Sequence, residues 1–129
     1  MTRDQTSVSK SLETFKLIVD RYPESSYAKD AYFKIIFLEN KLAAKEIDVA
    51  MTYLELKKYI SALKRFKYVV NNYQTTNFTP EALHRLVEIY LILGVKEEAL
   101  VNARVLGHNF PDSIWYRLSY NLLKKKRVI

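Results

Sequence analysis

With 129 residues, 49% of them apolar and 13% aromatic, and only two Gly and three Pro, the chain is sized for one domain with its own packed core; disorder and a fold rich in tight hairpins are both disfavoured. It contains no Cys, which excludes disulfides, thiolate catalysis and sulfur-linked lipids within these residues, and it has neither an apolar run of membrane-spanning length nor a charged start leading into an apolar leader, so it reads as soluble. The net charge of +7 is uneven: residues 101–129 hold six basic residues against Asp112 alone, four of them in Lys124-Lys125-Lys126-Arg127, which invites an acidic partner unless 124–129 is simply a solvated, frayed end.

Residues 1–7 are polar and without periodicity. Val8, Leu12, Phe15, Ile18, Val19 and Tyr22 then fall at three- and four-residue steps, a helix with one apolar face that ends at Pro23. Nothing precedes this helix to pair with it. By repeat logic it is the second helix of a hairpin whose first lies upstream, so the chain reads as a fragment of a longer repeat protein. A second, long segment starts near Ser26: Ala28, Ala31, Ile35, Leu38, Leu42, Val49, Ala50 and Tyr53 trace one stripe, and no Gly or Pro interrupts it through Lys57. Continuous, it spans about 45 Å and reaches across two layers of packing; a break near Asn40-Lys41 is the competing reading.

After a tight polar turn at Lys57-Lys58, the residues Tyr59, Ala62, Leu63, Phe66, Val69, Val70 and Tyr73 form the apolar face of a third helix. Thr79 as N-cap and Pro80 at the first helical position start a fourth, carrying Leu83, Leu86, Val87, Tyr90 and Leu91 and stopping at Gly94. A fifth runs from Glu97 to Leu106, with Gly107 expected as its left-handed cap. A last helix through Trp115, Leu118, Tyr120, Leu122 and Leu123 is expected to cap the open end of the stack.

Three of the junctions share a six-residue pattern: Tyr22-Pro23-Glu24-Ser25-Ser26-Tyr27, Tyr73-Gln74-Thr75-Thr76-Asn77-Phe78 and Phe110-Pro111-Asp112-Ser113-Ile114-Trp115. An aromatic closes one apolar run, a residue that turns the chain follows, and a Ser or Thr able to accept an orphan amide proton opens the next helix. At an offset of 37 residues Tyr53 falls on Tyr90, Ala62 on Ala99 and Tyr73 on Phe110. An aromatic on the first helix faces a small residue on the second, where two antiparallel helices can close up. The whole chain, residues 1–129, is thus expected to be one all-α domain: a tetratricopeptide-like α-solenoid of helical hairpins, with one long helix and a carboxy-terminal capping helix.

The pattern resembles the tetratricopeptide repeat, matched by Ala50, Tyr53, Ala62 and Phe66 in the earlier hairpin and by Leu86, Tyr90, Ala99 and Pro111 in the later one, with Val87, Leu106 and Gln74 as departures. A closer likeness covers nearly the whole chain. Arg3-Asp4-Gln5, the segment Tyr22 to Tyr27 with Asp30-Ala31, Leu42-Ala43-Ala44-Lys45-Glu46, Arg65-Phe66, Tyr73-Gln74-Thr75-Thr76, the run Glu81 to Glu88, and Asn109-Phe110-Pro111 with Trp115-Tyr116 resemble the carboxy-terminal half of the BamD family, in its alphaproteobacterial form. These are the lipoproteins of the machinery that assembles outer-membrane β-barrels. The resemblance implies a non-catalytic scaffold at the periplasmic face of the outer membrane that docks onto the POTRA domains of BamA and works beside the other assembly-machinery lipoproteins. The family's signal peptide, lipidated Cys and first repeats have no counterpart in these residues, so any membrane attachment would come through a lipid anchor outside this chain.

No catalytic constellation is present. His84 and His108 stand apart, with neither Cys nor carboxylate expected at ligand spacing; there is no Gly-rich phosphate loop, no nucleophile beside a base, and neither a metal nor another cofactor is expected. Glu97-Glu98 suits the positive end of a helix macrodipole. The candidate partner-binding residues lie on the third helix: Ser61, Arg65, Tyr68 and Asn72 step along a side not needed by the core, with Lys64 beside them and Lys57, Lys58 and Lys67 adding a positive rim. A plain solvated face explains the same residues, but the resemblance favours an interface, because Arg65 falls where the family carries the Arg that pairs with an acid on BamA. Two other readings stand beside this one: a generic peptide-binding adaptor gripping a segment between hairpins, with Asn71, Asn72 and Asn102 as hints, and nucleic-acid binding through Lys124 to Arg127, which is not expected and would show as steep salt dependence.

Overall fold

The structure, a computed structural model, describes residues 3–129, with side chains described from Ser7 onward. Among the described residues there are six helices and no strand: α1 (Arg3–Arg21), α2 (Ser26–Glu55), α3 (Tyr59–Asn72), α4 (Thr79–Ile92), α5 (Lys96–Asn109) and α6 (Ile114–Lys125). Each helix packs on the next, and α6 returns to pack on both α4 and α5. This is the all-α, tetratricopeptide-like stack of hairpins that the repeat pattern implies. α1 begins at Arg3, ahead of the first apolar step at Val8. α2 is unbroken over 30 residues, so no interruption occurs at Asn40-Lys41. α1 rests on its first half, tied by Lys16 to Glu39 at 3.3 Å and by Lys34 over the Phe15 ring.

The junctions alternate between two kinds. α2, α4 and α6 each end in a residue with positive φ: Lys57 (60°), Gly94 (78°) and Arg127 (60°). In each, the following amide reaches back five residues, Lys58 N to Tyr53 O, Val95 N to Tyr90 O and Val128 N to Leu123 O, at 2.8–2.9 Å. These are three Schellman turns at matching places. Lys124 and Lys125 form the last turn of α6, and Val128 packs against the core.

α1, α3 and α5 end instead at the aromatic of the six-residue pattern. Ser25 Oγ accepts from Ala28 N and Ser113 Oγ from Trp115 N, both at 3.1 Å, so two copies cap as expected. The middle copy does not. Thr76 and Thr79 donate back to Tyr73 O at 2.7 and 2.8 Å, Thr79 is not an N-cap, and α4 starts with its Pro in the first turn but without a side-chain cap. Asn40 Oδ1 accepts from Asn77 N at 2.9 Å, so the longer middle loop is pinned to the centre of α2 instead.

The core runs from Ala43, Ile47 and Ala50 on α2 through Phe66 and Val69 to Leu86, Val87 and Ile89 on α4 and Ala99 and Ala103 on α5. Ala62 and Ala99, the small residues set opposite Tyr53 and Tyr90, are both wholly buried. α4, flanked by α3, α5 and α6, is buried nearly all round. One expectation fails here. Gly107 does not close α5, which continues to Asn109; it lies in the helix beneath the Tyr116 ring. α6 turns Ser119 and Leu123 inward, leaving Leu118 and Tyr120 exposed.

Candidate partner-binding surface

α3 lies along the second half of α2, with its apolar stripe inward. Of its other side chains, Arg65 leans back toward α2, where Glu46 stands next to the buried Ile47 and one turn before the buried Ala50. Arg65 Nη1 donates to both Glu46 oxygens, at 3.1 and 3.3 Å. The guanidinium side chain stays 44% exposed while the carboxylate is 16% exposed. The pair is thus rooted on the α2 side and open on the α3 side. The hydrogen bond and charge of Glu46 hold Arg65 still more firmly in its charged form. A guanidinium has five N–H donors, so with one nitrogen on Glu46 it can take an external carboxylate without losing the internal one.

This pair sits in a groove of about 690 Å³, lined also by Leu42, Lys45 and Val49 of α2, Lys64 and Tyr68 of α3, Tyr73 at its end, and Ser9 of α1. The Tyr68 and Tyr73 rings meet edge to face, 5.7 Å between centroids. Burial first, then Tyr68, Glu46 and Glu39, push the Tyr73 phenol above its ordinary range, so it remains a neutral donor. Tyr68 is 47% exposed, a large amphipathic ring beside an anchored Arg.

Of the five residues singled out on the third helix, the structure gathers Lys64, Arg65 and Tyr68 in this groove. Ser61 is half-buried and does not line it. Asn72 donates to its own helix at Tyr68 O (3.0 Å) and faces a neighbouring hollow with Tyr32, Ile36 and Glu39. Sequence reasoning missed Glu46, Lys45 and Tyr73. The signal for Glu46 was a carboxylate on a stripe otherwise apolar, but its partner lies on another helix.

His84 differs from its expectation. Glu88 is one turn on, with Oε1 3.6 Å from Nε2, and Nδ1 is 2.7 Å from Ser119 Oγ across to α6. Glu88 is itself held by Arg85 at 2.8 Å, whose guanidinium lies over the Trp115 ring. Ser119 is sealed from solvent, so this chain of groups fastens α6 to α4 and offers no approach to a substrate. Among the described residues no three His, Asp or Glu side chains converge as metal ligands, and no helix is long and apolar enough to cross a membrane.

Stacked hairpins, with an anchored Arg and a Tyr on an open flank, define a helical-repeat protein. The comparisons give the family. The model described as YfiO, outer membrane lipoprotein, matches residues 1–115, and the chain belongs to this family. It is 45% identical over 123 residues to the outer membrane protein assembly factor BamD of Caulobacter vibrioides, covering 95% of this chain and 40% of that protein. To BamD of Rickettsia prowazekii it is 40% identical over 124 residues, 96% of this chain and 49% of that protein, and to BamD of Neisseria meningitidis Z2491 34% over 111 residues, 86% and 42%. The stronger likeness to the two alphaproteobacterial relatives fits the resemblance read from the sequence. The chain spans less than half the length of each of these relatives.

Proposed function

We propose that this chain is a non-catalytic protein-binding part of the outer-membrane protein assembly machinery, acting at the periplasmic face, and that it docks through the α3 groove onto the POTRA domains of BamA. The relatives carry the assembly-factor name. The observation that supports the docking surface is Arg65, braced by Glu46 yet nearly half exposed beside Tyr68. A partner carboxylate would meet a guanidinium already oriented, which lowers the cost of ordering a long side chain on binding. Lys64 in the groove wall would speed encounter with an acidic surface more than it tightens the complex.

The peptide-adaptor reading gains less. Asn72 and Asn102 donate to carbonyls of their own helices, Tyr68 O and Glu98 O, while Asn71 lines a hollow among α3, α4 and α5.

The test separates the internal ion pair from the external one. Arg65→Glu should cut binding to purified POTRA domains by at least about 100-fold, in line with the loss of a buried charged contact at an interface. The double swap Arg65→Glu with Glu46→Arg restores the pair between helices, so stability should return while binding does not. If the swapped protein binds as the parent does, or Arg65→Glu leaves affinity unchanged, Arg65 is not in the interface.

A further inference from the structure

The repeat register exposes a second surface, formed by none of the residues that line the α3 groove. In the earlier hairpin, Met51, Leu54 and Tyr59 are all half-buried against the core. At the offset of 37 residues the later hairpin carries Glu88, Leu91 and Lys96. Two side chains that cover the core are thus replaced by charged ones, Glu88 drawn to Arg85 and Lys96 exposed, and a hollow of about 280 Å³ opens between the ends of α4 and α6 and the start of α5. Leu91, Ile92, Leu122 and Val128 supply its apolar surface, and Glu88, Lys96 and Lys126 its polar edge. Around it Ile92 and Ile129 are each 54% exposed and Val95 40%.

The hollow is smaller than the usual ~300–1,000 Å³ of a small-molecule site and suits one large side chain. Its surroundings are cationic. Lys96 and Lys126 stand on the edge, with Lys125 and Arg127 next in the chain. Two lysines in the last turn of α6 suffice to complement the helix dipole, so Lys126, Arg127 and Lys96 are in excess of what the fold uses. Glu88 does not offset them, because Arg85 already holds it at 2.8 Å, and Glu97 and Glu98, next to Lys96, complement the positive end of α5. We propose that this hollow is a docking site for an acidic segment of a partner protein that inserts one large apolar side chain between α4 and α6, its carboxylates lying on Lys96 and Lys126.

The probe is a fluorescein-labelled peptide rich in Asp and Glu with a single central Trp, titrated against the full chain by fluorescence anisotropy beside a twin in which Trp is Ala. The Trp peptide should bind, and the Ala twin at least about tenfold more weakly. Lys96→Tyr restores the aromatic of the earlier hairpin and fills the hollow; it should keep or raise the melting temperature and abolish Trp-peptide binding. Ile92→Asp, at an exposed rim position, should weaken binding by about tenfold or more and serves where Lys96→Tyr fails to fold. The proposal is overturned if the Trp peptide does not bind, if the Ala twin binds equally, or if binding survives in folded Lys96→Tyr. Competition by phosphatidylglycerol vesicles or single-stranded RNA as effective as by unlabelled Trp peptide would also overturn it, since that surface would read charge alone.

Discussion

Gly107 and Arg65 show how much a single residue can carry. Gly107 stands near the end of an apolar run, where a glycine reads as a cap, yet its backbone is helical and what it provides is space. A Cβ there would lie 2.5 Å from Tyr116 Cε1 and 2.8 Å from Cζ, while Tyr116 has Tyr120 beside it, limiting where the ring can go. Alanine would gain about 1 kcal/mol from helix propensity but must displace that ring, at about 1–3 kcal/mol for overpacking. Gly107→Ala should therefore destabilise the protein by about 1 kcal/mol alone and stabilise it by about 0.5–1 kcal/mol in a Tyr116→Ala background. Urea denaturation of the four proteins in the cycle checks this; the same sign in both backgrounds would assign Gly107 another role. Such contacts were not legible in the sequence because they form between helices. The Gly107–Tyr116 contact joins α5 to α6, the Glu46–Arg65 pair joins α2 to α3, and periodicity within one helix reports only which side faces inward. It placed Arg65 and Tyr68 on an open flank but could not say that α2 would supply a carboxylate there.

At the scale of elements, helix ends were the most readable features, because they depend on residues a few positions apart. Pro23 and Pro111 with Ser25 and Ser113 mark two junctions, and the absence of Gly and Pro from Ser26 to Glu55 made the long α2 visible. The middle junction misled because Thr76 and Thr79 turn their hydroxyls to Tyr73 O instead of to the next helix. The Schellman turns were half hidden for a chemical reason: only one of the three uses glycine. A side chain in the left-handed region costs about 1–2 kcal/mol, while glycine costs more backbone entropy on folding. Lys57→Gly should then stabilise the protein by about 0.5–1 kcal/mol, and Gly94→Ala should destabilise it by about 1 kcal/mol although nothing lies within 4 Å of the added Cβ. Thermal denaturation of both variants tests the pair. A neutral Gly94→Ala would mean that the turn relaxes to negative φ, and the equivalence of the three helix ends would be lost.

Across the whole molecule, each helix leans on its neighbours in sequence, except that α6 also reaches back to α4. That return contact decides whether the last layer stays attached, and it is made through a polar pair inside the core, His84 with Ser119. Apolar periodicity could not find it, because a serine carries no apolar signal. Burial lowers the affinity of His84 for a proton and Arg85 lowers it further, while Glu88 opposes them without prevailing, so the imidazole is neutral when folded at neutral pH. In the unfolded chain the same group titrates near its ordinary 6.5. Between that value and the lower folded one, the unfolded state binds more protons, so the contribution of His84 is complete above pH 6.5 and is lost as pH falls through this window. His84→Gln keeps a hydrogen-bonding group opposite Ser119 but cannot titrate. Urea midpoints measured on both sides of pH 6.5 should fall more steeply on acidification for the parent than for His84→Gln, with the loss appearing first in near-ultraviolet signals from Trp115, whose ring lies 5.6 Å from the imidazole. Parallel pH profiles for the two proteins would mean that Glu88 compensates the burial, and the attachment of α6 would then be insensitive to acid through this residue.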